Sequence, residues 1–108
     1  MSQAQIRKRL LSEHFTLSGR LTRLRRELTH DGTNSRDPSE LALEQEDDAV
    51  LDQLAAKTVT EIRDVDAALV RVAAGTYGLC EHCGEVIEEL RLRALPMTTL
   101  CIDCARLH

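Results

Sequence analysis

Four cysteines hold the chemistry that this sequence advertises. Cys80 and Cys83 form one Cys-x-x-Cys, Cys101 and Cys104 form another, and seventeen residues separate the pairs. Each such turn can aim two thiolates at one ion, so the pair of turns supplies the tetrahedral sulfur shell that zinc prefers. Two disulfides would require an oxidising compartment, and a thioredoxin-like redox site would need only one motif. The expectation is one zinc per chain. Because four protein ligands leave no open position for a catalytic water, the metal is expected to be structural and the protein not an enzyme. His82 lies inside the first motif and reads as an exposed loop residue. His14, His30 and His108 have no companions in a nucleophile or acid–base arrangement.

The elements that must carry this module read as helices. Leu10, Leu17, Leu21, Leu24 and Leu28 recur at spacings of seven, four, three and four, which places them on one stripe of a helix over residues 3 to 30. Leu51, Ala55, Thr58, Ile62, Val65, Leu69 and Val72 alternate spacings of four and three, a coiled-coil seam in a helix from about residue 38 to Ala74. The intervening HDGTNSRDP is rich in turn formers and too short for another element. Two long helices joined by a short turn must run antiparallel. Gly75 fits the position just past a helix end, where a left-handed residue stops it. Gly32, Gly78 and Gly84 read as turn glycines. The fold class is therefore mainly α: an antiparallel helical hairpin (coiled coil) over residues 1–74, with an acidic tip at about 31–42, followed by a small four-cysteine zinc finger over 75–108. At the tip, Asp37, Pro38 and Glu40 fit N-cap, first and third helical positions, close to a capping box.

Composition removes several function classes. In 108 residues, Tyr77 and Phe15 are the only aromatics and tryptophan is absent. A thick core and a base-stacking platform for single-stranded nucleic acid are both disfavoured. The net charge of −4 is unevenly spread. Residues 1 to 30 hold seven Lys/Arg against two acids, whereas residues 31 to 52 hold eight acids against Arg36. A basic arm leading into an acidic turn is not the footprint of a duplex reader, and no sequence-specific DNA binding is expected. No segment reaches signal-peptide or membrane-span length, so a soluble, cytoplasmic protein is expected.

Gly75, Tyr77, Gly78, Cys80, Cys83, Gly84, Ile87, Arg91, Leu92, Ala94, Pro96 and the closing CIDC resemble the finger of the DksA/TraR family of bacterial regulators. The resemblance extends through the second helix to DPSELA; the first helix follows the family only in pattern, and a chain without the longer amino-terminal segment of full-length members is expected. It implies a protein that binds RNA polymerase, inserts its hairpin into the secondary channel and alters initiation without contacting DNA. A D-P-x-D-x-A tip pattern maps onto Asp37, Pro38, Glu40 and Ala42, with Glu40 holding its charge one methylene further out. Family members that cooperate with ppGpp carry basic residues at positions that fall here on Asp64, Leu95 and Ala105. None of these is basic, so no ppGpp cooperation is expected. A monomer is expected. The alternative is a zinc-stapled helical adaptor for a different protein partner, in which the tip is only a turn.

Overall fold

The computed structural model describes residues 2–28 and 38–107, with side chains in the second stretch from residue 47 onward. Among the described residues there are four helices: α1 (Gln3–Leu28), α2 (Pro38–Ala74), α3 (Glu89–Ala94) and α4 (Ile102–Leu107). Helix α1 begins with a reciprocal cap. The Ser2 hydroxyl accepts from the Gln5 amide at 3.2 Å, and the Gln5 side-chain oxygen accepts from the Ser2 amide at 2.9 Å. Two otherwise orphaned donors are thereby satisfied.

The end of α2 is set by Gly75, whose φ of 77° is open to glycine at little cost. The Gly75 amide donates to the Val72 carbonyl at 3.2 Å and the Thr76 amide to the Arg71 carbonyl at 2.9 Å. This double reversal is the Schellman closure. It turns the chain sharply out of the helix and into the cysteine-bearing segment.

The chain divides into two compact units, one of Met1–His14 with Asp64–His108 and one of Phe15–Arg63. In the first unit, the Gln3 side-chain amide donates to the Val72 carbonyl at 2.9 Å, and His14 Nε2 lies 3.2 Å from Asp66 Oδ1. The first number rises as the second falls, so the two helices run antiparallel there. Leu10, Val65, Ala68 and Val72 are buried in this unit. In the second unit Leu17 and Thr58 are buried, and Arg20 Nη1 approaches Glu61 Oε2 at 3.5 Å.

The helical stripes behave as their spacing predicts. All seven seam residues of α2 and all five leucines of α1 are buried or half-buried. Ala68 joins them although the four-and-three reading passes over it. Phe15 stays 82% exposed. His14 acquires Asp66 as a companion, a pairing hidden in the sequence by a separation that only the antiparallel fold removes. No described helix is long and apolar enough to cross a membrane.

Candidate metal centre

The first Cys-x-x-Cys sits on a tight ribbon. Leu79 and Val86 form an isolated antiparallel bridge, flanked by the Cys80 amide donating to the Glu85 carbonyl at 2.8 Å and the Ile87 amide to the Gly78 carbonyl at 2.7 Å. The chain reverses between them at Gly84, whose amide donates to the Cys80 carbonyl at 2.9 Å with φ at 78°. Cys80 and Cys83 therefore project from one knuckle. The second motif is held by the start of α4: Cys101 precedes the helix, Cys104 lies within it, and the Ala105 amide donates to the Cys101 carbonyl at 2.9 Å. A hydrogen bond from the Glu81 amide to the Thr99 carbonyl, 2.8 Å, ties the two knuckles together.

Beneath them lies a small core of Cys80, Ile87, Leu92 and Cys104, with Tyr77, Leu100 and Cys101 packed against it. The Tyr77 hydroxyl donates to the Pro96 carbonyl at 2.8 Å, and Arg91 Nε donates to the Leu100 carbonyl at 3.0 Å. Burial pushes the Tyr77 phenol above its ordinary value of 10.0, and the nearby Arg9 and Arg71 charges offset only part of the rise.

All four cysteine sulfurs lie within 4.8 Å of one another, and Cys83 Sγ is 3.8 Å from Cys101 Sγ. Zinc–sulfur bonds of about 2.3 Å at tetrahedral angles require sulfurs about 3.8 Å apart, so the donor set fits one zinc. The thiols are free rather than disulfide-bonded. His82 is exposed and outside the group, as its loop position suggests. The backbone amides of Cys101 and then Cys83 favour the Cys80 thiolate and bring its pKa down to about 6. Cys104 is pushed far upward by burial and by the three thiols crowding it. Cys83 rises too: the Glu85 amide favours its thiolate, but the Cys80 thiol and lost hydration outweigh that. Four sulfurs this close cannot all ionise without a cation among them, which is the electrostatic demand that a dication meets.

Sequence reading singled out the four cysteines that cluster here and missed what holds them together. The Leu79–Val86 bridge, α3, and the burial of Leu92 went unforeseen; the glycine pair Gly78 and Gly84, both at positive φ, was the available sign of a reversal there. Of the tip residues, Asp37 lies outside the described residues, as do His30 and Gly32. Glu40 and Ala42 fall within α2, their side chains outside the description. The capping arrangement at Asp37 and Glu40 is likewise outside it.

Fold and site together define a class: helical-hairpin proteins closed by a four-cysteine finger able to hold one zinc. The prokaryotic dksA/traR C4-type zinc finger profile matches residues 75–108, and the DnaK suppressor protein-like N-terminal domain profile matches residues 6–72. The chain belongs to the DksA/TraR family. It is 29% identical over 110 residues to the RNA polymerase-binding transcription factor DksA of Haemophilus influenzae, covering 99% of this chain and 76% of that one. Against the Escherichia coli protein of the same name, identity is 32% over 85 residues, 76% of this chain and 56% of that one. An uncharacterized protein of Aquifex aeolicus is 46% identical over 56 residues, 52% of this chain and 39% of that one. Among solved structures, transcription factor DksA2 from Pseudomonas aeruginosa superposes with a TM-score of 0.90 at 30% identity, covering 97% of this chain and 81% of that one. The DnaK suppressor protein from Agrobacterium tumefaciens gives 0.65 at 34% identity, over 100% and 95%.

Proposed function

We propose that this chain is a DksA/TraR-like transcription regulator that binds RNA polymerase and inserts its acidic hairpin tip into the secondary channel. Residues 1–74 act as the arm and residues 75–108 as a finger in which Cys80, Cys83, Cys101 and Cys104 hold one structural zinc. Asp37, Glu40 and Ala42 are the part that reaches toward the polymerase active site. The protein acts by binding, without catalysis and without reading DNA sequence, as a cytoplasmic monomer. The observation that carries this reading is the likeness to transcription factor DksA2 along 97% of the chain, finger and both long helices included. Electrostatics supports it further: a carboxylate-bearing tip suits a channel that houses a magnesium-dependent centre.

The test separates the tip's charge from its capping role. Asn caps a helix about as well as Asp, and Gln can replace Glu in a capping box, so Asp37→Asn with Glu40→Gln should cost under ~1 kcal/mol. The double variant is expected to keep its helicity, its zinc and its co-purification with RNA polymerase while losing its effect on transcription. Full activity would reduce the tip to a well-capped turn. Failure of the unaltered chain to co-purify with polymerase would instead favour an adaptor for another partner.

A further inference from the structure

The face of the finger beside the metal centre combines a free backbone edge, exposed aliphatics and unpaired acids. Leu79 and Val86 are bridged in the manner that places their hydrogen bonds on the flanking residues, Cys80 to Glu85 and Ile87 to Gly78. In that antiparallel geometry the amide and carbonyl of Val86 itself point away from Leu79. They take no backbone hydrogen bond among the described residues. The ribbon thus ends in an open edge at Val86.

Around it runs a groove that borders the metal site at Cys83, Cys101 and Cys104 and is otherwise lined by Glu85, Val86, Glu88, Ile102 and Asp103. Val86 is 75% exposed and Ile102 45%. Glu85, Glu88 and Asp103 form no ion pair among the described residues. Of the finger's arginines, Arg91 bonds the Leu100 carbonyl and Arg93 pairs with Glu89, while Arg106 on α4 is exposed and does not line the groove. The lining contains three carboxylates and no cationic side chain. A zinc tetrathiolate beside it adds net negative charge, since four thiolates outweigh one dication.

We infer that this face is a docking site for an extended, cationic segment of a protein partner, in which Lys or Arg alternates with aliphatic residues. Such a segment adds a short strand beside Val86, recovering its unpaired backbone groups. Alternate side chains of a strand point to opposite faces, so one set can cover Val86 and Ile102 while basic residues meet Glu85, Glu88 and Asp103. A neutral apolar partner would strand three carboxylates at the contact, and a nucleic acid would be repelled. None of these residues is assigned to the polymerase tip. The two readings stand or fall separately.

The test uses the zinc-loaded full chain with three short synthetic peptides, blocked at both ends, alternating valine with lysine, valine with glutamate, or serine with lysine. The valine–lysine peptide should shift the Val86 amide and Ile102 methyl resonances and slow Val86 amide exchange, with affinity falling as salt rises. Combining E85Q, E88Q and D103N should weaken its binding by about tenfold or more while one zinc is retained. If that variant loses zinc, the three peptides on the unaltered chain decide alone. Silence at Val86 and Ile102, an equal response to either control peptide, or unchanged affinity in a zinc-loaded triple variant would overturn the assignment. So would Val86 shifts that grow with protein concentration in the absence of peptide, because the edge would then belong to a second copy of this chain.

Discussion

Tyr77 joins the α2 terminus to the finger. Its ring packs on the finger core and its hydroxyl donates to the Pro96 carbonyl, which belongs to a buried residue. Tyr77→Phe removes that donor and leaves the carbonyl without it, so a loss of about 1 kcal/mol is expected in denaturant unfolding. As the only tyrosine in the chain, it also reports its own ionisation. The ultraviolet titration of the folded protein should have its midpoint above 10.0, because burial raises the phenol. The sign follows from the raised folded value. The contribution to stability is complete below pH 10.0 and is lost as pH climbs through the folded pKa. A midpoint at or below the ordinary value would show the phenol to be solvated.

At the scale of elements, the α2 stripe holds a fully buried alanine and a buried threonine, one small and one polar for a generic seam. Ala68 is fully buried, and Thr58 is buried with its hydroxyl donating to the Leu54 carbonyl of its own helix at 2.8 Å. Ala68→Leu inserts volume at a fully buried position and should cost about 1–3 kcal/mol. Thr58→Val removes a hydroxyl whose bond is made within α2, and should change stability by less than ~1 kcal/mol. Reversal of that order in thermal unfolding would mean that Thr58 contributes more than a local bond. The finger behaves differently, because its core is the small Cys80, Ile87, Leu92 and Cys104 cluster. Structural zinc contributes on the order of 10 kcal/mol to folding in zinc-finger peptides. Chelation is therefore expected to unfold residues 76–104 while the far-ultraviolet signal of α1 and α2 largely persists. Retention of the finger's methyl dispersion after complete metal removal would contradict it.

For the whole molecule, binding a polyphosphate would need basic side chains, and the positions singled out in the sequence do not supply them. Asp64 is exposed, Leu95 is 50% exposed and Ala105 is half-buried, and none can donate a charge-assisted hydrogen bond to a polyphosphate. We propose that ppGpp adds little to this protein's action. Transcription with a polymerase whose own separate ppGpp site is disabled should change little when ppGpp is added. A large ppGpp-dependent gain there would show that other side chains supply the missing charge.

The sequence alone determined the periodic and covalent features. Spacings of three and four specify a helix stripe locally, which is why Leu10, Leu17, Thr58, Val65 and Val72 were all legible as inward-facing. The paired Cys-x-x-Cys motifs likewise marked the four cysteines that come together, since each turn presents its two sulfurs by local geometry. Tertiary structure alone decided what depends on contacts between remote segments. The tie from Glu81 to Thr99, the approach of Cys83 to Cys101 and the meeting of His14 with Asp66 have no periodic signature. The open edge at Val86 belongs to the same group. A bridge of one residue pair is too short to leave an alternating pattern, and its unpaired side is defined only once Gly78 and Gly84 have turned the chain back on itself.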